Sequence, residues 1–188
     1  MTGIKVPVLS YAAQALAFAI VVAVSVSIAP DLRGILGGLL GVAMLRIAVV
    51  DARSFIIPNV LVGVAVVLGL LYALTDEWNH WDALLSAALR GGCTFLAFYA
   101  VQAGFRYLRG REGLGFGDVK LAGTAGIWLQ WFPLAVAIEL AAVGALLWVG
   151  FRARSKRRSF RGILIPFGLF LAPAIWIGWL LQTLVPSP

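Results

Sequence analysis

Apolar residues run through this chain in seven blocks, at about 9–29, 34–50, 60–74, 83–104, 119–131, 133–151 and 162–184, separated by short polar intervals. The blocks lack apolar–polar alternation and most are too long for strands. In hydrocarbon, only helices satisfy every backbone N–H and C=O within one open segment. The pattern predicts an all-α, polytopic transmembrane helix bundle of about seven spans, with six to eight compatible with the length. The third and fifth blocks are short for a span, so tilt, local thinning or burial within the bundle is expected of them. The first block exceeds the ~7–15 apolar residues of a secretory signal and is read as a retained span.

The polar intervals carry an orientation. Arg106, Arg109 and Arg111 lie in one, and Arg152, Arg154, Lys156, Arg157, Arg158 and Arg161 in another, whereas 75–82 has neither Lys nor Arg. Basic loops stay cytoplasmic, which places Lys5 and the N-terminus inside and 75–82 outside, with Arg33 alone on the wrong side. Trp78, Trp81, Trp128, Trp131, Trp176 and Trp179 then fall toward the outer interface, where an indole N–H stays hydrated, and Trp148 is the exception.

Composition narrows the class further. Of 188 residues, 62% are hydrophobic and 12% charged, half the charge of an ordinary soluble domain. One membrane-embedded unit over 1–188, without a separate soluble domain, is the expectation. The net charge of +7 sits in the loops, so anionic lipids rather than nucleic acid are its expected partners. The single cysteine, Cys93, excludes a disulfide framework or a CxxC zinc pair and reads as a small packing residue within its helix. His80 has no ligand cluster around it, and no metal site is expected.

Two carboxylates stand apart from the other charges. Gly113-Leu114-Gly115-Phe116-Gly117-Asp118-Val119-Lys120 places an acid where a glycine-rich loop enters an apolar helix. Asp51 closes another apolar block, ahead of Ile57-Pro58-Asn59. Taken singly, Asp118 reads as a helix N-terminal cap and Asp51 as a partner of Arg46 or Arg53. Alternation of the spans nevertheless brings both acids to one membrane depth, and two such carboxylates can share a proton in aspartyl hydrolysis. The same alternation puts Arg90 and Glu139 at similar depth toward the opposite face, where a structural ion pair between them is expected. Small residues, Gly34, Gly37, Gly38 and Gly41 on the second block and Ala122, Gly123 and Gly126 on the fifth, predict close helix packing. Lys120, two residues past Asp118, points away from it on a helix and is read as tuning the field or reaching lipid phosphates.

Asp51 with Ile57-Pro58-Asn59, then Gly115-Phe116-Gly117-Asp118-Val119-Lys120, then Ile165-Pro166-Phe167-Gly168-Leu169-Phe170-Leu171-Ala172, resembles the type IV prepilin peptidase family of GxGD intramembrane aspartyl proteases, from about residue 34 onward. The resemblance implies that Asp51 and Asp118 are catalytic and that no cofactor is used. It also implies prepilin or pseudopilin substrates, cut at the cytoplasmic face of a prokaryotic inner membrane just before their hydrophobic helix. Gly115, Phe116, Gly117 and Lys120, with Pro58 and Asn59, are the candidate substrate contacts. The long members of the family begin with a domain bearing paired CxxC motifs, associated with N-methylation. This sequence is more similar to the short members that serve tight-adherence (Flp) pili and to archaeal preflagellin peptidases, so methyltransferase activity is not carried over. Leu169 stands where long members often have proline. The residues leave two rival readings: a small proton- or cation-coupled transporter using the same two acids, and an assembly subunit with only structural charges. They do not define an oligomeric state.

Overall fold

A computed structural model describes residues 10–76, 79–110, 113–156 and 166–185, with only the backbone described over 152–156. Lys5, Glu77, Trp78, Arg111, Glu112, Arg157, Arg158, Arg161 and Ile165 lie outside the described residues. Seven helices follow one another: α1 (Tyr11–Ile28), α2 (Leu32–Ser54), α3 (Asn59–Ala73), α4 (His80–Arg109), α5 (Phe116–Trp128), α6 (Trp131–Lys156) and α7 (Gly168–Leu184). Each falls on one apolar block. Four of them, α1, α2, α4 and α6, are long and apolar enough to cross a membrane, and the chain is a multi-pass membrane protein. At 13 residues, α5 is only about 20 Å long, well short of a hydrocarbon core of about 30 Å. It is buried instead: every residue from Leu121 to Gly126 is inside, against α4, α3 and α7.

Small side chains let the helices close on one another. A β-carbon at Gly37 would strike the Trp179 indole, and one at Gly126 would lie 2.6 Å from the Arg90 carbonyl oxygen. Packing of α2 against α7 and of α5 against α4 follows from these contacts, and Gly38 and Gly41 bring α2 onto Val22 and Val21 of α1 in the same way. The central core comes from α2, α3, α5 and α7, with α6 contributing Leu134, Ala137 and Ala141. By contrast, α1, α4 and α6 turn most of their surface outward.

Three expectations are corrected at the end of the bundle remote from Asp51 and Asp118. Trp128 and Trp179 are 2% and 0% exposed, not hydrated at an interface. The Trp128 indole N–H donates to the Ala65 carbonyl at 2.7 Å, and that of Trp176 to Ser25 Oγ at 3.1 Å, so tertiary contacts supply what water was expected to give. Trp81 and Trp131 do lie outward. Arg90 does not pair with Glu139. Its Nε donates to the Leu129 carbonyl at 3.0 Å, while Glu139 is on the exposed side of α6. The reason is lateral: α4 packs on α5 and α3 rather than on α6, so equal depth does not bring the two residues together. Cys93, finally, is exposed on α4 and fills no packing gap.

Arg33, the basic residue on the wrong side of the charge pattern, has a local cause. Its Nε donates to Thr75 Oγ1 at 3.1 Å and its Nη2 to the Thr75 carbonyl at 2.9 Å, just past the end of α3, where a cation offsets the negative end of the helix dipole.

The Trp179 indole N–H is buried with no acceptor among the described residues. Trp128→Phe is therefore expected to cost about 1 kcal/mol more than Trp179→Phe, because only the former removes a made hydrogen bond. Thermal unfolding of the two variants in the same detergent measures the difference, and equal losses would contradict it.

Candidate active site

Three chain segments meet at the other end of the bundle. Asp51 lies in the last turn of α2, where the helix closes through the Phe55 N–H on the Asp51 carbonyl at 2.9 Å and ends with Phe55 in the left-handed region at φ 55°. Asp118 lies in the first turn of α5, its N–H donating to the Gly115 carbonyl at 3.1 Å. The start of α7 comes between them. Leu169 N–H donates to Asp51 Oδ2 at 3.0 Å, and the backbone of Gly168 lies against Asp51 and near Asp118. A helix N-terminus offers unpaired N–H groups and a positive dipole end, which is why two acids gather there.

Packing around the pair is close. Asp51 is only 4% exposed, and Ile57 is 9% exposed. A β-carbon at Gly168 would lie 2.9 Å from Ile57 Cδ1 and 3.0 Å from Asp51 Oδ2, and one at Gly117 would lie 3.0 Å from Ile57 Cβ. Ile57 thus touches the start of α5 and the start of α7 together. Glycine is needed at 168 for approach, not for backbone conformation. Downstream, Pro173 sits inside α7, and having no N–H it cannot close the helical bond to the Leu169 carbonyl. The turn that receives Asp51 is therefore bonded less fully than an ordinary helical turn. Gly168→Ala is expected to cost about 1–3 kcal/mol of stability by pushing against Ile57 and the Asp51 carboxylate. Thermal unfolding of the variant beside wild type in one detergent would check it, and an unchanged midpoint would contradict the packing reading.

Neither Arg46 nor Arg53 forms an ion pair with Asp51 among the described residues. Arg46 turns to α1, where its Nη1 donates to Gln14 Oε1 at 3.5 Å. Of the other expected contacts, Lys120 Nζ donates to Asn59 Oδ1 at 2.6 Å and stands 4.8 Å from the centroid of the Phe116 ring. These residues and Pro58, the residue before α3, share the end of the bundle that holds the acids. Gly115 faces Asp118, and a β-carbon there would lie 3.1 Å from Asp118 Oδ2. The glycines at 113 and 117 make room mainly for the chain's own Phe105 and Ile57, rather than lying open throughout.

Two contributors escaped sequence reasoning. Gln102, buried on α4, donates from Nε2 to the Leu114 carbonyl at 3.0 Å and holds the glycine-rich loop. A lone amide in an apolar block was the available signal, because such a group needs a partner. The amides of Gly168 and Leu169 carried no side-chain signal at all.

Fold and site together define a class: a polytopic helical membrane protein with two convergent carboxylates at one helix N-terminus. Comparison with known proteins agrees. The family model described as the type IV leader peptidase family matches residues 38–150, which include both acids. The "Prepilin leader peptidase/N-methyltransferase" of Aeromonas hydrophila is 29% identical over 160 residues, 85% of this chain and 53% of the relative. A Pseudomonas aeruginosa protein of the same name is 35% identical over 138 residues, 73% of this chain and 46% of the relative. No solved structure matches significantly. This chain belongs to the type IV leader peptidase family. It spans about half the length of the curated relatives it matches.

Proposed function

We propose that this chain is a membrane aspartyl endopeptidase that removes the leader peptides of type IV prepilins or pseudopilins, with Asp51 and Asp118 as its two catalytic groups. The observation that carries the reading is the meeting of both carboxylates at the start of α7, within a chain of the leader peptidase family. Relatives named for both peptidase and methyltransferase activity are matched over only about half their length, and only the peptidase half of that name is proposed here.

Two carboxylates this close in a poorly hydrated site do not both ionise readily, and the pair holds one proton. The ionised member takes a proton from water as the water oxygen attacks the scissile carbonyl carbon. The protonated member gives its proton to the carbonyl oxygen, forming a neutral tetrahedral diol. Collapse of the diol breaks the C–N bond. The departing nitrogen takes a proton from the pair, leaving a carboxyl-terminated leader and a new amino terminus. Gly115, Phe116 and Gly117, with Pro58, Asn59 and Lys120, lie where an extended substrate backbone would pass. The basic residues at this end, among them Arg53, Arg106 and Arg109, favour the cytoplasmic face of a prokaryotic inner membrane and contact with anionic lipids. Residues 1–188 are proposed to act as one membrane-embedded peptidase unit.

The transporter reading needs a route between the acids and the far face. Buried Trp128 and Trp179, with the Tyr72 ring tilted 5.2 Å from that of Trp128, pack the interior of the bundle below that face and weigh against it. The test is incubation of the reconstituted full chain with a prepilin that retains its leader, read by intact mass. Loss of the leader is the expected result. An uncut prepilin, together with a proton flux in the same vesicles, would replace the peptidase by the transporter.

A further inference from the structure

The face remote from the carboxylates has a polar feature that leader cleavage does not use. A cavity of about 610 Å3 lies there between the start of α2, the end of α3, the start of α4 and the ends of α5 and α7. At roughly 30 Å3 per liquid water, it is far larger than a trapped-water site. Its walls carry both signs of charge: Arg33 and Arg90, each half-buried, and Asp76 and Asp82, with the amides of Gln130 and Gln182 beside them.

The arginines are held from behind. Arg33 is fixed by its two bonds to Thr75 and Arg90 by its bond to the Leu129 carbonyl. A guanidinium has five N–H donors, so these anchors use a minority of the available groups and set the direction of the rest. Gln182 is fixed too, donating from Nε2 to the Trp128 carbonyl at 2.9 Å and accepting from the Gln130 N–H at 3.1 Å. Arg33, Arg90 and Gln182 therefore enter the cavity with rotamers already restricted, which lowers the entropic cost of binding.

Among the described residues that line it, two guanidiniums and two carboxylates balance in formal charge. A simple anion would meet Asp76 and Asp82, and a simple cation would meet Arg33 and Arg90. A short zwitterion satisfies both. We propose that this cavity binds a phosphoethanolamine group, its phosphate received by Arg90 and Arg33 and its primary ammonium by Asp82. Two sources carry that group, a membrane phospholipid and a soluble headgroup. Exposed Trp81 and Leu85 at the start of α4, one of the apolar spans, put the cavity rim at the level of lipid headgroups and favour the lipid.

The experiment titrates the purified full chain, in detergent, with short-chain phosphatidylethanolamine, phosphatidylcholine and phosphatidylglycerol of equal acyl length. Free glycerophosphoethanolamine forms a fourth arm. Phosphatidylethanolamine is expected to bind about tenfold more tightly than either other lipid, because choline has no N–H for the carboxylates and glycerol has no cation. Arg90→Gln is expected to weaken it about tenfold, and Asp82→Asn to abolish the preference over phosphatidylglycerol. Glu139→Gln, on the exposed side of α6 and outside the cavity lining, leaves binding unchanged. Asp82 is exposed, so its variant keeps the test valid if Arg90→Gln fails to fold. Binding of the lipid but not of the free headgroup assigns the lipid as the source, and equal binding assigns the soluble group. Equal affinity for all three lipids, or a full preference retained in Asp82→Asn, overturns the proposal.

Discussion

Asp51→Asn and Asp118→Asn are each expected to lower the rate of the proposed leader cleavage by on the order of 10^3-fold, with the double variant scarcely worse than either single one. The magnitude is that of losing one positioned proton-transfer group, and the lack of additivity follows because either change leaves the pair unable to perform both transfers. The substitution is nearly isosteric. An asparagine carbonyl at 51 still accepts the Leu169 N–H now bonded at 3.0 Å, so the start of α7 stays in place. At 118 the only expected structural cost is the interaction of a carboxylate with the α5 dipole, about 0.3–1 kcal/mol. Protein level and thermal unfolding should therefore match wild type while the intact mass of the prepilin reports an uncut leader. A single variant that cleaves at the wild-type rate, with fold preserved, would remove its aspartate from the mechanism and leave the paired chemistry without support.

The largest effect on stability is expected from Gly126→Val. Its first added carbon would lie 2.6 Å from both the Arg90 carbonyl oxygen and Thr94 Oγ1, and the carbonyl belongs to a helical backbone that cannot turn aside. Relief requires α4 and α5 to separate along one of the closest seams in the molecule, at a cost of about 3 kcal/mol, the upper part of the usual overpacking range. Gly92→Val on α4 is the control. Nothing lies within 4 Å of a β-carbon there, and the helix faces outward. Melting temperatures measured in one detergent should fall sharply for the first variant and hold for the second. Equal behaviour would mean that the α4–α5 seam is looser than its glycines indicate.

Seven helices could be read in advance because hydrocarbon leaves the backbone so few alternatives, and each described helix falls on an apolar block. Alternation of the spans also carried the depth of Asp51 and Asp118, since depth depends only on where a residue lies along its helix. It did not carry lateral position, and the two main errors share that cause. Arg90 and Glu139 have matching depth but sit on helices that are not neighbours. Trp128, Trp176 and Trp179 lie toward the expected face, yet they point inward, to Ala65, Ser25 and the glycine face of α2. The site was legible to the extent that it is made of ionisable side chains. Its remaining parts, the α7 amides and the contact of Ile57 with two glycines, depend on backbone geometry and shape, for which no residue type is a reliable marker.

A 13-residue α5 that is enclosed by protein gives Asp118 a height set by the bundle and not by the bilayer. A substrate helix, in contrast, finds its own height by matching its apolar length to the surrounding lipid. Enzyme and substrate would then be measured against different rulers. Lengthening the acyl chains of the host membrane would slide the scissile peptide relative to a stationary pair of acids, and bilayer thickness would become a determinant of where, and how fast, the leader is cut.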